Sequence, residues 1–274
     1  MKHRLVFLLA AVCWAFAAPA QSFTALTYNI RYDNPNDGPD HWDVRKAALA
    51  DEILRHRPAI VGLQEATIRQ LQYLDTRLLG YQRFGVGRED GAEKGEFSPI
   101  YFDTSMFRLL NGRTIWLSRT PKKPSKGWDA ACERIATLLE LQSKHSGDTI
   151  LMVNTHWDHV GKKARMRSAK LIVCAIKDAL RAGRRVIFMG DLNATPDDAP
   201  IQFLQKHLTS TCPPDQSERG TFNGFDPTLT VFRRIDYVWF SPADWKIESY
   251  EVPHPMLNGR HVSDHFPVVV RFEW

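Results

Sequence analysis

Residues 185–196 read Arg-Val-Ile-Phe-Met-Gly-Asp-Leu-Asn-Ala-Thr-Pro. The apolar run from Val186 to Met189 has the length of a short buried strand, and Asp191 and Asn193 stand where it runs out. Upstream, Ala169, Ile172, Ile176 and Leu180 repeat at helical spacing until Gly183 stops them. A helix that leads into a fully apolar strand belongs outside a sheet, the α/β pattern. A carboxylate at the end of such a strand is costly unless a cation, a basic side chain or water meets it.

The same arrangement recurs along the chain. Phe23 to Tyr32 places Leu26, Tyr28 and Ile30 on one face, with Asn29 among them, and then enters the turn-rich Asp33-Asn-Pro-Asn-Asp-Gly38. Val44/Ala48 and Leu49/Ile53 mark a helix that ends before Pro58. Ala59-Ile-Val-Gly-Leu-Gln-Glu65 reads as a buried strand with a polar end, and Ile68, Leu71, Leu74 and Leu78 as the next helix. The middle is richer in loops, at 85–95 and 120–129, with a short strand at Pro99–Phe102 between them. Arg134–Leu141 and Thr149–Thr155 read as neighbouring strands joined by Ser146-Gly147-Asp148, and further strands fall at Ile235–Phe240 and Phe266–Phe272. With no linker in view, this is one domain of two packed α/β halves.

Lys2 and Arg4 precede an apolar run from Leu5 to Ala17 and then Ala18-Pro19-Ala20. That pattern predicts a signal peptide over residues 1–20 and an exported domain over residues 21–274, periplasmic or secreted. The run is too short for a transmembrane anchor. Without Lys2 and Arg4 the formal charge of +5 becomes +3, which neither requires nor excludes nucleic acid. Cys132, Cys174 and Cys212 are too few and too scattered for a disulfide framework, and Cys174 falls in an apolar helical pattern that predicts a buried thiol.

The strand ends collect Asn29, Glu65, Asn154, His156, Asp191, Asn193, Asp236, Asp264 and His265. Glu65, Asp191 and Asp264, with the amide oxygens of Asn29 and Asn193, are hard donors that suit Mg²⁺, with Mn²⁺ as a substitute. His156, Asp158 and His159 do not read as a zinc site, because on a strand His159 would face away from the other two. His156 and His265 can move protons near neutral pH, Asp236 could fix one imidazole's tautomer, and Arg134 offers a planar clamp for phosphate oxygens.

Six segments in order carry a resemblance: Thr27-Tyr-Asn29-Ile-Arg; Gly62-Leu-Gln-Glu65; Asn154-Thr-His156-Trp-Asp-His159; Gly190-Asp191-Leu-Asn193-Ala-Thr-Pro196; Ile235-Asp236-Tyr; and Ser263-Asp264-His265-Phe-Pro-Val268. The chain resembles the endonuclease/exonuclease/phosphatase superfamily over essentially its whole mature length. The resemblance implies a DNase I-like, four-layered α/β sandwich with two central mixed sheets flanked by helices and the site at their shared edge. It implies Glu65 as the principal metal ligand with Asn29 and Asp264 nearby. Asp191 would orient water or assist a second metal, and Asn193 would contact phosphate. Asp236 and His265 would pair, His156 would lie near the phosphate, Glu96 would orient His156, and Arg134 would contact phosphate. Segments 87–91, 95–97 and 126–129 look like small secreted or periplasmic bacterial members.

The expected function is therefore a Mg²⁺-dependent phosphoesterase that hydrolyses a phosphodiester or phosphomonoester through an activated water. A nuclease acting on nucleic acid is the broadest subclass. An inositol-phosphate or sugar-phosphate phosphatase, or a sphingomyelinase-like phospholipase, is the alternative, and Trp42, Trp116, Trp128 and Trp157 could then line an apolar or sugar-binding rim. A non-catalytic binding module would show an eroded site, and here the set is complete. No protein partner is readable.

Overall fold

The computed structural model describes residues 22–230, 232–242 and 245–273. The expected leader, residues 1–20, lies outside the described residues. One six-stranded sheet holds β1 (Ser22–Asn29), β2 (Ile60–Gln64), β3 (Tyr81–Phe84), β4 (Ile100–Asp103), β11 (Lys246–Glu251) and β14 (Val268–Glu273), in the spatial order β11-β14-β1-β2-β4-β3. The other holds β5 (Phe107–Trp116), β6 (Ile135–Ser143), β7 (Thr149–His156), β8 (Arg185–Asp191), β9 (Thr209–Ser210) and β10 (Asp236–Phe240), ordered β5-β6-β7-β8-β10-β9. Both are mixed: β1 runs parallel to β2 and β7 parallel to β8, while the other neighbours are antiparallel. A small ribbon, β12 (Met256–Leu257) with β13 (Arg260–His261), stands apart.

Three apolar clusters separate the layers. Ile60, Ile100, Phe102, Val268 and Val270 of the first sheet meet Leu139, Met152, Ile187, Met189 and Val238 of the second. Helix α3 (Lys162–Arg181) and the short α4 (Ala199–Leu204) pack outside the second sheet through Ile172, Ile176, Ile201 and Leu204. Helices α1 (Trp42–Arg55) and α2 (Ile68–Arg77) cover the first through Leu49, Ile53, Leu71 and Leu74. The result is the helix–sheet–sheet–helix sandwich the resemblance implied.

The sheets also touch through a polar bolt near the site. Asn154 donates to the carbonyls of Leu63 and Pro99, both at 2.8 Å, and accepts from Gln64 Nε2 at 2.7 Å. The approach is close enough that a Cβ on Gly62 would lie 2.9 Å from the Asn154 side chain. At Gly190, φ is 144° and a Cβ would meet the Thr155 carbonyl oxygen at 2.0 Å, so glycine is required just before Asp191.

The sequence reading misplaces several elements. The first strand stops at Asn29 rather than continuing to Tyr32, because Arg31 takes a left-handed φ of 55°. Strand β5 falls between the two expected loops in a stretch to which no element was assigned, and it carries a bulge between Leu109 and Asn111. Strands β3 and β11 are half-exposed edges without a clear apolar run and were not anticipated. The strand expected at Pro99–Phe102 is shifted by one residue, and β14 begins at Val268 rather than at Phe266. Cys174 is exposed, not buried, since Ile172, Val173 and Ile176 carry the inner face of α3.

Candidate active site

The ends of β1, β2, β8 and β10 converge on a cleft of about 730 Å³ whose lining includes Glu65, Glu96, Arg134, His156, Asp191, Asn193, Asp264 and His265. Two of the expected residues leave their strands in an uncommon backbone state: Glu65 has φ 60° and Asn193 φ 46°. Non-glycine residues held there cost energy and cluster at functional sites. In the Glu65 turn, the Oε1 oxygen accepts from Asn29 Nδ2 at 3.1 Å and Oε2 from the Tyr32 amide at 3.1 Å.

Asn29 is fully buried and donates a second time, to Asp191 Oδ2 at 3.0 Å. Its Oδ1 accepts from the Arg31 amide at 3.0 Å. The amide oxygen expected to face a cation is thus committed to its own loop, and Asn29 bridges two carboxylates as a donor. Arg45 of α1 holds this loop in place. It is buried and donates to the carbonyls of Asp40 (2.8 Å), Ile30 (2.5 Å), Arg31 (2.8 Å) and Val262 (3.4 Å).

His265 and Asp236 meet across strands that are distant in sequence, with Nδ1 2.8 Å from Asp236 Oδ2. Nε2 is 3.7 Å from Asp191 Oδ2 and 3.4 Å from Asn29 Nδ2. Phe222 packs edge-on against the ring, centroids 5.0 Å apart. Burial lowers the imidazole's pKa, but the charges of Asp236, Asp191 and Asp264 outweigh it and carry it up to about 10. Asp264 and His265 lie in a bend ahead of β14, held by an isolated bridge between His265 and Phe222.

His156 ends β7. Its Nε2 receives a hydrogen bond from Asn193 Nδ2 at 3.0 Å and lies 3.4 Å from Asp191 Oδ2. Asn193 gives its other amide hydrogen to the Trp157 carbonyl at 3.0 Å, so both donors expected to reach phosphate are already used. Burial, followed by the Arg134 and Arg88 charges, drives His156 well below its ordinary pKa, so the ring is neutral. Glu96 does not orient it here: Oε2 stands 3.8 Å from Nδ1 and instead accepts from Arg88 at 2.7 Å. The His156 Nδ1 atom is buried with no hydrogen-bond partner.

Arg134 is 5% exposed and lies toward Asp158 (3.4 Å) and His159 Nδ1 (2.9 Å), with Nη1 buried and unpartnered. Asp158 is not on a strand. Beyond the end of β7 it accepts from the Ala131, Val160 and Gly161 amides at 2.7–3.1 Å and shapes the turn into α3. The tryptophans do not make a rim. Trp42, Trp116 and Trp157 are buried and Trp128 is outside the cleft lining.

The donor set fits a divalent cation. Burial first, then the charge of Asp236, raises Asp191 to about 7; burial, then Glu65, raises Asp264 to about 6. Oxygen donors held this way gain from a nearby positive charge. Among the described residues, ligand atoms of Asp191, Asp236 and His265 lie within 4.8 Å of one another. In that trio Nδ1 of His265 already serves Asp236 Oδ2, and both Asp191 oxygens accept, from Asn29 and from the Asn193 amide, while Asp236 Oδ1 is buried without a partner. Sequence reasoning missed Arg31, Arg88 and Phe222 as lining residues. Arg88 lies in the charged 85–95 loop, which was the only signal for it.

Two stacked mixed sheets with carboxylates and imidazoles gathered at one shared edge define the hydrolytic α/β-sandwich class. The chain belongs to the Endonuclease/Exonuclease/phosphatase family, whose profile matches residues 26–265. Members of that family are phosphoesterase hydrolases that depend on a divalent metal. The chain is 34% identical to a family protein from Bacteroides thetaiotaomicron, with a TM-score of 0.85 over 94% of this chain and 99% of that one. It is also 34% identical to the mannosyl-6-phosphatase of Bacteroides thetaiotaomicron, TM-score 0.83, over 91% of this chain and 99% of that one. Against the CCR4-Not complex 3'-5'-exoribonuclease subunit Ccr4 of Candida albicans it is 21% identical over 93% of this chain but only 41% of that protein. The chain therefore spans about two fifths of the length of the curated relative it matches there.

Proposed function

We propose that this protein is an exported, Mg²⁺-dependent phosphatase that hydrolyses the phosphomonoester of a small polyol, a sugar phosphate, by direct attack of water. The observation that carries the reading is the cleft: about 730 Å³, with the ionisable cluster on its wall, in the size range of small-molecule sites. The near full-length likeness to a sugar-phosphate phosphatase supports it.

Glu65, Asp264 and Asp191 would hold the cation, whose positive charge would stabilise the phosphoryl oxygens and acidify a bound water. His265 is kept cationic by Asp236 and presents Nε2 to the cleft, where it donates to a phosphoryl oxygen. Asp191, lying between the two imidazoles, would orient or deprotonate the attacking water. Asn29 and the Asn193 backbone amide donate to the two oxygens of the Asp191 carboxylate and fix it. Asn193 holds His156.

The second reading is an exoribonuclease, favoured by the match to Ccr4 over most of this chain. Purified mature protein should be incubated in parallel with mannose 6-phosphate, an inositol phosphate, sphingomyelin, plasmid DNA and a short oligoribonucleotide, each with Mg²⁺ and with EDTA. Phosphate release from the sugar phosphate, abolished by EDTA, is the expected result. Turnover of the oligoribonucleotide alone would overturn the phosphatase reading, and equal turnover in EDTA would overturn the metal.

A further inference from the structure

We propose that the end of the cleft beyond His156 is a subsite for an anionic group, a carboxylate or a second phosphate, on the part of the substrate that leaves. The proposal rests on the hydrolytic reading above and names the substrate class within it.

The second sheet presents its functional residues in spatial order along one edge: Asp236 on β10, Asp191 on β8, His156 on β7, and Arg134 immediately before β6. Neighbouring strands stand about 4.8 Å apart, so Arg134 begins about 10 Å, two strands, from Asp191. The Arg134 guanidinium turns to Asp158 and His159 rather than to His265, and about 10 Å is within the span of a six-carbon sugar acid bearing phosphate at its other end.

The two ends of the cleft differ in charge. Beside the His265–Asp236 pair stand Glu65, Asp191 and Asp264, with Arg31 and Arg233 among them, whereas Glu96 is the carboxylate in the lining among Arg88, Arg134, Lys162 and Arg165 at the other end. Those four cations have only two close carboxylate partners, Glu96 on Arg88 and Asp158 on Arg134. Two of their donors are buried without an acceptor, Arg134 Nη1 and Arg88 Nε. Unmade buried donors are destabilising, and charged ones more so. Lys162, exposed at the start of α3, makes no ion pair or side-chain hydrogen bond among the described residues. Guanidinium forks with spare N–H groups and a free ammonium at one end of a cleft are what a carboxylate or phosphate requires.

The test compares kcat/KM for 6-phosphogluconate and sorbitol 6-phosphate, open-chain molecules that share the scissile ester and differ in a terminal carboxylate in place of a hydroxymethyl group, with a short oligoribonucleotide as the third arm. Wild-type protein with Mg²⁺ should prefer the doubly anionic substrate by about 10- to 100-fold, the value of one or two charge-assisted contacts. In Lys162→Glu the ratio should fall toward one, and Arg134→Gln, checked for an unchanged melting curve, should act the same way. Hydrolysis of both sugar phosphates with equal kcat/KM would overturn the subsite while leaving the phosphatase reading intact. If only the oligoribonucleotide is cleaved, the phosphatase reading falls. The subsite then stands if Lys162→Glu raises KM for that chain, and falls if KM is unchanged.

Discussion

His265 and His156 lie on two sides of Asp191, one in the bend before β14 and the other at the end of β7, both buried, yet they occupy opposite charge states. Around His265 the neighbours are Asp236, Asp191 and Asp264, and the ring is a cation. Around His156, although Asp191 and Glu96 stand at 3.4 and 3.8 Å, the charges of Arg134 and Arg88 add to the same burial and the ring is neutral. The desolvation penalty is common to both, so the sign of the nearby charge decides the outcome. The cleft is therefore polarised, with a cation-seeking end beside the His265–Asp236 pair and an anion-seeking end beyond His156.

The largest effect should come from breaking what both ends depend on. Glu65→Gln should lower kcat/KM on the order of 10³-fold, comparable to losing one preorganised electrostatic contact at a reacting centre. It should also abolish the thermal stabilisation by Mg²⁺, which at a hundred times Kd is about 2.7 kcal/mol for the intact protein. Next, His265→Ala should lower kcat by on the order of 10²-fold or more while Mg²⁺ affinity changes little. Near-normal kcat at saturating substrate and Mg²⁺ would make His265 structural.

Asp236→Asn sharpens the contrast without removing the ring. The neutral amide no longer holds the proton, so the pKa of His265 should fall, and kcat should lose roughly 10-fold or more. His156→Ala should cost about 10-fold, since the neutral ring accepts from Asn193 and fills the cleft wall beside Asp191. The smallest effect should be Glu96→Gln, within about 3-fold, because 3.8 Å is no hydrogen bond to His156. A larger loss from Glu96→Gln than from His156→Ala would mean that the carboxylate acts on something other than that ring.

The layered fold and the gathering of Asn29, Glu65, His156, Asp191, Asn193, Asp236 and His265 at one edge were legible, because apolar strands with polar ends announce themselves in local pattern. What pattern could not show is how the donors are spent. Asn29 turns its oxygen toward the Arg31 amide and its NH₂ toward the carboxylates, and Asn193 commits both hydrogens to His156 and Trp157. These choices depend on the left-handed turns at Arg31 and Asn193, in which neither residue is a glycine that would have signalled them. Strand β5 is exposed or half-buried except at its ends and has no apolar run to mark it, and Cys174 was hidden by a helical stripe that it borders but does not join. Arg45 carries no motif. Only the closed structure shows that its donors collect carbonyls from 30, 31, 40 and 262.

The two histidines can be read directly by nitrogen–proton correlation spectra of ¹⁵N-histidine-labelled, metal-free protein across neutral to mildly alkaline pH, with His265→Ala and His156→Ala supplying the assignments. The account predicts that His265 keeps both ring protons through pH 8 and begins to lose one only toward about 10. His156 should stay a single neutral tautomer, protonated on Nδ1, throughout. Two rings titrating together near the ordinary histidine value of about 6.5 would contradict it.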